Sequence, residues 1–345
     1  MSLTLKHLTL CPTPLAAVPD PSDTDFENQL IDEGTKLLAH EGWAEQKSWH
    51  GGVVDTFTLP QGSVSYQPAS GGGGGAAPTG NAGEEGILWH KRVSRFKTRE
   101  HGDYETWWAA FGDNHMEQEE DFTDNLVKVV DVGKREGKKD CYVKLYKLPF
   151  GATDRSFAGH VVVCSPSDSA TSSDQPAQSH SSAKASDKDP NSKGATSGPK
   201  GSRQFLVFSL PIDPGEIPEE KKYVRGTTAT VERIRELDGG EIEWTCASLS
   251  TPGGSIPVKL SESKMAQSLA DAVPSILTWM AKAHPPNASA IKTGTYTADT
   301  PASAQNPAKA RVTGDTANPG GGMGRMPAGR FTLEMFQKEV PLRDY

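Results

Sequence analysis

The sequence predicts an α+β protein, an antiparallel sheet crossed on one face by a long C-terminal helix. Three observations predict it. Apolar residues recur with helical spacing from Asp25 to His40 and again from Ser263 to His284. From Asp140 to Ser250 the period falls to two, as half-buried strands require. The strand-like runs follow one another through turns and loops, without the crossover helices that parallel neighbours need.

The first helix opens with Thr24 and Glu27 at capping-box spacing, and Phe26, Leu30, Leu37 and Leu38 share one face. Ile87 to Lys97 alternates like a strand, with Trp89, Val93 and Phe96 as its large apolar residues. Tyr104, Trp107, Trp108 and Phe111 fall at i, i+3, i+4 and i+7, a short and strongly apolar helical face. A further turn or two of helix is expected from Glu117 to Leu126, because Phe122 and Leu126 stand four apart. Strands are expected over Cys141 to Leu148, Ala158 to Cys164, Phe205 to Leu210, Tyr223 to Glu236 and Glu241 to Ser250. Asp238-Gly239-Gly240 supplies the positive-φ residues of a tight hairpin between the last two. The closing helix buries Met265, Leu269, Val273, Ile276 and Met280, with Trp279 near its end. Pro274 inside it removes the hydrogen bond to Ala270, which predicts a kink.

Composition sets the domain limits. Of 345 residues, 35 are Gly and 25 are Pro, concentrated in 67–86, 165–203 and 284–330. Such stretches bury too little apolar area to offset an ordering entropy of roughly 1–2 kcal/mol per residue. The expectation is a single domain over 22–283, interrupted by disordered inserts at 67–86 and 165–203. A disordered tail at 284–330 and a short docking segment at 331–345 follow. Phe331, Leu333, Met335, Phe336 and Val340 of that segment suit either a partner or the domain's own surface. The ordered part bury about 70% of the surface the unfolded chain exposes, enough for a core with a hollow in it.

The net charge of −8 argues against nucleic acid as a partner, since counterion release needs a basic stripe. No run of 18 apolar residues exists, so no transmembrane segment is expected, and Met1 to Pro19 lacks the apolar stretch of a secretory signal. The basic cluster from Lys134 to Lys139 reads as a solvated hairpin loop, with transient membrane contact as its functional alternative. Cys11, Cys141, Cys164 and Cys246 form no Cys-x-x-Cys pair, as expected of reduced thiols in a cytoplasmic protein.

Motifs for other chemistries fail on spacing. His115 and Glu119 lie four apart, but no further His or Cys completes a metal site. Gly133 to Lys138 is one residue short of a phosphate-binding loop, and Gly-x-Ser-x-Gly is absent. No metal and no cofactor is expected. More informative are Arg92 and Arg155, each beside a strand with aromatic neighbours. A buried guanidinium there needs a carboxylate such as Asp154 or Glu232, or the polar head of a ligand. Tyr142, Lys144 and Tyr146 share one strand face, opposite Val143 and Leu145. Phe205 to Leu210 is apolar on both faces and must be covered on both. Trp108, Tyr146 and Trp244 combine flat apolar surface with one polar atom, which suits a concave site.

Several motifs together resemble the START-like superfamily, closest to its fungal family called domain of unknown function 3074. They are Trp89-His90-Lys91-Arg92-Val93-Ser94, Tyr146-Lys147-Leu148-Pro149-Phe150 and Asp154-Arg155-Ser156-Phe157. Gly226-Thr227-Thr228-Ala229-Thr230-Val231-Glu232, Glu243-Trp244, Gly253-Gly254-Ser255-Ile256-Pro257 and Thr278-Trp279 follow in order. Two positions depart from the pattern: Thr251-Pro252 precedes the Gly-Gly pair in place of Ser-Asp, and Thr230 replaces Ser. The resemblance implies a helix-grip fold (START/Bet v 1-like), a curved antiparallel sheet wrapped around the C-terminal helix with an internal cavity. It implies binding, and by extension transfer, of a lipid, sterol or other amphipathic apolar small molecule between sheet and helix. The ligand-binding candidates are Arg92, Trp108, Tyr146, Arg155, Phe208, Glu232, Trp244, Val273 and Leu277. Two alternatives stand beside this one. A cyclase or isomerase of the same cavity would use Glu232, His160 and Tyr146 as acid–base groups, and convergence of two or more of them would favour catalysis. A regulatory interaction protein is the other.

Overall fold

The computed structural model describes residues 2–20, 22–67, 86–112, 115–123, 125–148, 153–166 and 203–284. The N-terminal half supplies β1 (Leu3–Leu5), β2 (Thr13–Pro14), α1 (Thr24–Leu38), β3 (Ala44–Trp49), β4 (Val54–Leu59) and β5 (Val64–Tyr66). Next come β6 (Trp89–Lys97), α2 (Thr98–His101), α3 (Tyr104–Phe111), α4 (His115–Phe122), β7 (Leu126–Asp131) and β8 (Cys141–Tyr146). The chain continues through β9 (Arg155–Cys164), β10 (Gln204–Asp213), β11 (Val224–Leu237), β12 (Glu241–Thr251) and α5 (Val258–Ala283). The expected inserts, tail and docking segment, like Pro149 and Phe150 of the resemblance, lie outside the described residues except for a few at their edges. Among the described residues no helix is long and apolar enough to cross a membrane.

The sheet runs β3-β4-β6-β12-β11-β10-β9-β8-β7, antiparallel at every step of that path. It is curved and does not close. The β11–β12 hairpin turns as its residues predict, with Gly239 and Gly240 at φ of 88° and 77°. After Pro211 β10 parts from β9 and pairs in parallel with β2, Ile212 opposite Thr13. The edge of β9 so vacated is taken by the start of β11, Val224 opposite Arg155. That splice requires Gly226, because a Cβ there would lie 2.5 Å from a ring carbon of Phe157 and 2.7 Å from the carbonyl oxygen of Thr251.

Both faces of the sheet are covered, as the apolar run in β10 demands. On the outer face α1 lays Phe26, Leu30 and Leu37 against Leu206, Phe208 and Val231. On the inner face α5 lays Ala270, Val273, Ile276 and Met280 toward Phe205, Val207, Ile234 and Trp244. The helix is also tied at its sides. Glu262 Oε2 meets His90 Nε2 at 2.8 Å, and Asp271 meets the His50 ring at 3.3 Å. This is the helix-grip layout the sequence leads one to expect.

Three local expectations are corrected. The cap of α1 is Asp23, which accepts the N–H of Phe26 at 3.0 Å, while Thr24 is already helical. Asp caps as well as Thr, and here it stands one residue earlier. Leu126 opens β7 rather than closing α4, because Val127, Val129 and Val130 favour extended backbone. Helix α5 begins at Val258, directly after Pro257, five residues before Ser263.

Candidate functional site

Alternation along the strands decides which side chains reach the inner face. In β11, Thr228, Thr230, Glu232 and Ile234 point inward, whereas Ala229 and Val231 meet α1. In β8, Tyr142, Lys144 and Tyr146 alternate with the outward Cys141, Val143 and Leu145. Between this inner face, α4 and α5 lies a cavity of about 80 Å³. Its apolar wall includes Phe111, Phe122, Phe157, Val207 and Ile276. Its polar wall comprises Glu119, Lys144, Tyr146, Ser209, Glu232 and hydroxyls from neighbouring strands.

Glu232 is the centre of one polar group. Its Oε2 accepts the indole N–H of Trp244 at 2.7 Å and a guanidinium N–H of Arg92 at 3.5 Å. Arg92 is wholly buried, and its guanidinium lies 3.6 Å from the Trp244 ring centroid. Two further nitrogens of Arg92, Nε and Nη1, are buried without a hydrogen-bond partner. Burial pulls this guanidinium below its ordinary pKa. The indole of Trp244 in turn packs against Trp107 and Phe111, which fixes its N–H toward Glu232.

The second polar group is built on α4 and β8. Glu119 accepts Lys144 Nζ at 2.6 Å and the Tyr146 hydroxyl at 3.3 Å. Burial first, and the Glu119 carboxylate second, hold the Tyr146 phenol well above its ordinary pKa, so it stays a neutral hydrogen-bond donor. Arg155 stands directly across from Tyr146 in the β8–β9 ladder and so shares its face. It is 4% exposed. Its Nη1 donates to the backbone carbonyls of Thr153 and Asp154, and its Nε is buried without a partner.

The structure brings Tyr146 and Glu232 to the cavity wall and sets Arg92 and Trp244 one layer behind Glu232. Arg155 is not part of the cavity wall; it stands across from Tyr146 in the ladder and one pleat from Phe157, both of which are. The other candidates are placed elsewhere. Trp108 is half-buried with its ring edge-on to Phe205 at 5.0 Å, and Phe208 faces α1 on the far side of the sheet. Val273 is in the core, Leu277 packs at its margin, and their neighbour Ile276 lines the cavity. His160 also faces the outer side, beside Phe26. Sequence reasoning missed Glu119 and Lys144 as a pair. The alternation Tyr142, Lys144, Tyr146 marks the strand face, but nothing in sequence brings Glu119 25 positions away into contact with it.

A sheet gripping a helix around a partly polar hollow defines a helix-grip protein with an internal site. The chain belongs to the family described as protein of unknown function (DUF3074), which matches residues 89–280. No curated protein matches the sequence. Among solved structures it is similar to human STARD10, at 13% identity over 78% of this chain and 84% of that one, with a TM-score of 0.44. It is similar also to human StAR-related lipid transfer protein 5, at 9% identity over 75% and 99%, TM-score 0.46. A third is the lipid transfer and protein localization domain of human StarD13 (DLC2), at 11% identity over 77% and 98%, TM-score 0.42.

Proposed function

We propose that the chain binds an amphipathic apolar small molecule, of the lipid or sterol class, in the cavity between sheet and α5. One observation carries this reading: carboxylates, an ammonium, a phenol and hydroxyls face a hollow inside the domain, among aromatic and aliphatic walls. A plain core would place apolar side chains there; here the charged groups are held by one another, Glu119 by Lys144 and Tyr146 and Glu232 by Trp244 and Arg92. The guest's polar head meets Tyr146, Glu119 and the unpaired nitrogen of Arg155, and its body lies along Phe122, Phe157 and Ile276. At about 80 Å³ the hollow holds several water-sized guests. Drug-sized ligands occupy roughly 300–1,000 Å³, so the loaded form requires Phe122 and Ile276 to move apart. Transfer between membranes, with transient contact by the loop between β7 and β8, belongs to the same proposal.

The test is saturable binding of a sterol, phospholipid and fatty-acid panel to delipidated protein. Arg155→Ala weakens acidic-headed ligands about tenfold, the value of one charge-assisted hydrogen bond, and leaves neutral sterols unchanged. Absence of one-site binding across the panel overturns the reading.

A second reading, catalysis of the isomerase or cyclase kind, is favoured by the convergence of Tyr146 and Glu232 on one cavity. His160 takes no part in it. Tyr146 stays protonated near neutrality, so Glu232 is the one group of the original three left for proton transfer, with Tyr146 as a hydrogen-bond donor. A ligand recovered chemically unchanged after prolonged incubation with the protein decides for carriage.

A further inference from the structure

A second hollow, larger than the inner cavity, lies on the other side of the sheet. It measures about 310 Å³, opens to solvent, and is bounded by the N-terminal segment, α1, β9 and β10. Phe26, Pro14, Leu210 and Ile212 give it apolar walls. Among the described residues that line it there is no Asp or Glu, while Lys6, His7 and His160 all do. The nearest acid, Glu33, is taken up by the backbone N–H groups of His7 and Leu8, at 3.0 and 3.3 Å.

The polar groups leave donors unspent. Lys6 Nζ and His7 Nε2 both reach the same oxygen of Gln29, at 2.8 and 3.2 Å, which leaves the ammonium two more protons to offer. His160 is 6% exposed and lines the hollow. Phe26 holds both rings in place, stacked on His160 at 6.4 Å and edge-on to His7 at 5.0 Å. Lys138, bonded to the carbonyl of Val18 at 2.6 Å, adds a further positive charge nearby.

We propose that this outer cavity is a second binding site, for a small carboxylate with a short apolar body. Lys6, His7 and His160 meet the carboxylate, and Phe26, Pro14 and Leu210 meet the body. A neutral hydrocarbon would offer nothing to Lys6, His7 and His160. A bare inorganic anion would leave the apolar walls against water. Burial and the charge of Lys138 keep the His160 pKa near 4, so the ring offers a neutral N–H to an incoming anion.

Cys11 provides a reporter, since it lines the cavity and is exposed while the other three cysteines are buried. Burial pushes the thiols of Cys141 and Cys164 up to about 12, and that of Cys246 higher, so none of the three competes for an alkylating reagent. The experiment follows the alkylation rate of Cys11 in the full chain by mass spectrometry, with octanoate, octanol or inorganic phosphate added. Octanoate should slow it saturably by about tenfold, with octanol and phosphate each needing at least about tenfold higher concentration for the same effect. Ala17→Trp, at an exposed position of the cavity wall, should abolish the octanoate effect without disturbing the fold. His160→Leu should raise the octanoate concentration needed about tenfold. No protection, equal protection by octanol or phosphate, or protection that survives Ala17→Trp overturns the proposal. Because Cys11 reports on the outer side alone, failure here leaves the inner-cavity reading to its own test.

Discussion

Arg92 and Glu232 make a pair whose energetics follow from burial. Arg92 has no exposed surface, and among the described residues the carboxylate it reaches is Glu232 at 3.5 Å. Glu232→Gln keeps an oxygen for the Trp244 N–H but withdraws the negative charge. The guanidinium is then compensated by the Trp244 ring alone, and a desolvated cation–π contact is worth about 2 kcal/mol. Breaking a buried ion pair from one side costs about 3–5 kcal/mol, so a loss near 3 kcal/mol is expected for Glu232→Gln. Arg92→Met removes the charge and its two unpartnered nitrogens together and fills a similar volume. Glu232 then keeps its bond to Trp244 at 2.7 Å and its access to the cavity, which limits the loss to about 1 kcal/mol. In the double variant no uncompensated cation remains, and the loss should be about 1–2 kcal/mol, a coupling of about 2–3 kcal/mol. Equilibrium urea unfolding of the four proteins, followed by tryptophan fluorescence, measures it. Additivity within about 0.5 kcal/mol would refute the reasoning, since it would mean that the two side chains do not sense each other.

Further expectations rest on other sites. Gly226→Ala should destabilise the fold by about 2–4 kcal/mol, because its Cβ would press into Phe157 and the Thr251 carbonyl at 2.5 and 2.7 Å; unchanged urea stability would contradict the β9–β11 splice. His160 has its pKa lowered from 6.5 to about 4 by burial and then by Lys138. The unfolded chain therefore binds the extra proton between those values. Its contribution is complete above about pH 6.5 and shrinks as pH falls toward 4, by up to about 3 kcal/mol. The difference in stability between wild type and His160→Leu, measured at pH 7 and pH 4.5, should move in favour of the variant at the lower pH. A pH-independent difference would show the ring to be solvated. Tyr146→Phe should weaken binding of ligands with a polar head about fivefold to tenfold in the lipid panel, as loss of one neutral hydrogen bond does; equal affinity would remove Tyr146 from the head-group site.

Much of the frame is legible in sequence because its signals are local. The glycines after Asp238, the i, i+3, i+4 spacing of the α3 aromatics and the apolar stripe of α5 each encode their element within one short stretch of chain. Other parts depend on partners far along the chain. Ala44–Trp49 pairs with β4, yet five of its six residues are exposed and no alternation marks it. Leu3–Leu5 and Thr13–Pro14 are extended only because β5 and β10 lie beside them. The site shows the same division. In Phe205–Leu210 every residue but Ser209 is apolar, so sequence cannot tell which of Val207 and Phe208 faces the cavity. The pairing of Phe208 with Val231 and of Val207 with Glu232 settles it, because neighbours in register share a face. Glu232 and Arg92 were legible as charges in strands, whereas the hollow behind them arises from how α4 and α5 close over the sheet.

Native mass spectrometry of the full chain purified from cells tests the inner cavity most directly, with Ile276→Trp as the plugged control. Ile276 is 2% exposed and forms part of the cavity wall, so an indole there takes the space a guest would need. The expected result is a one-to-one adduct of lipid or sterol mass on the wild type that is missing from the folded variant. Bare chain mass for the wild type, both as purified and after incubation with the lipid panel, would contradict the account.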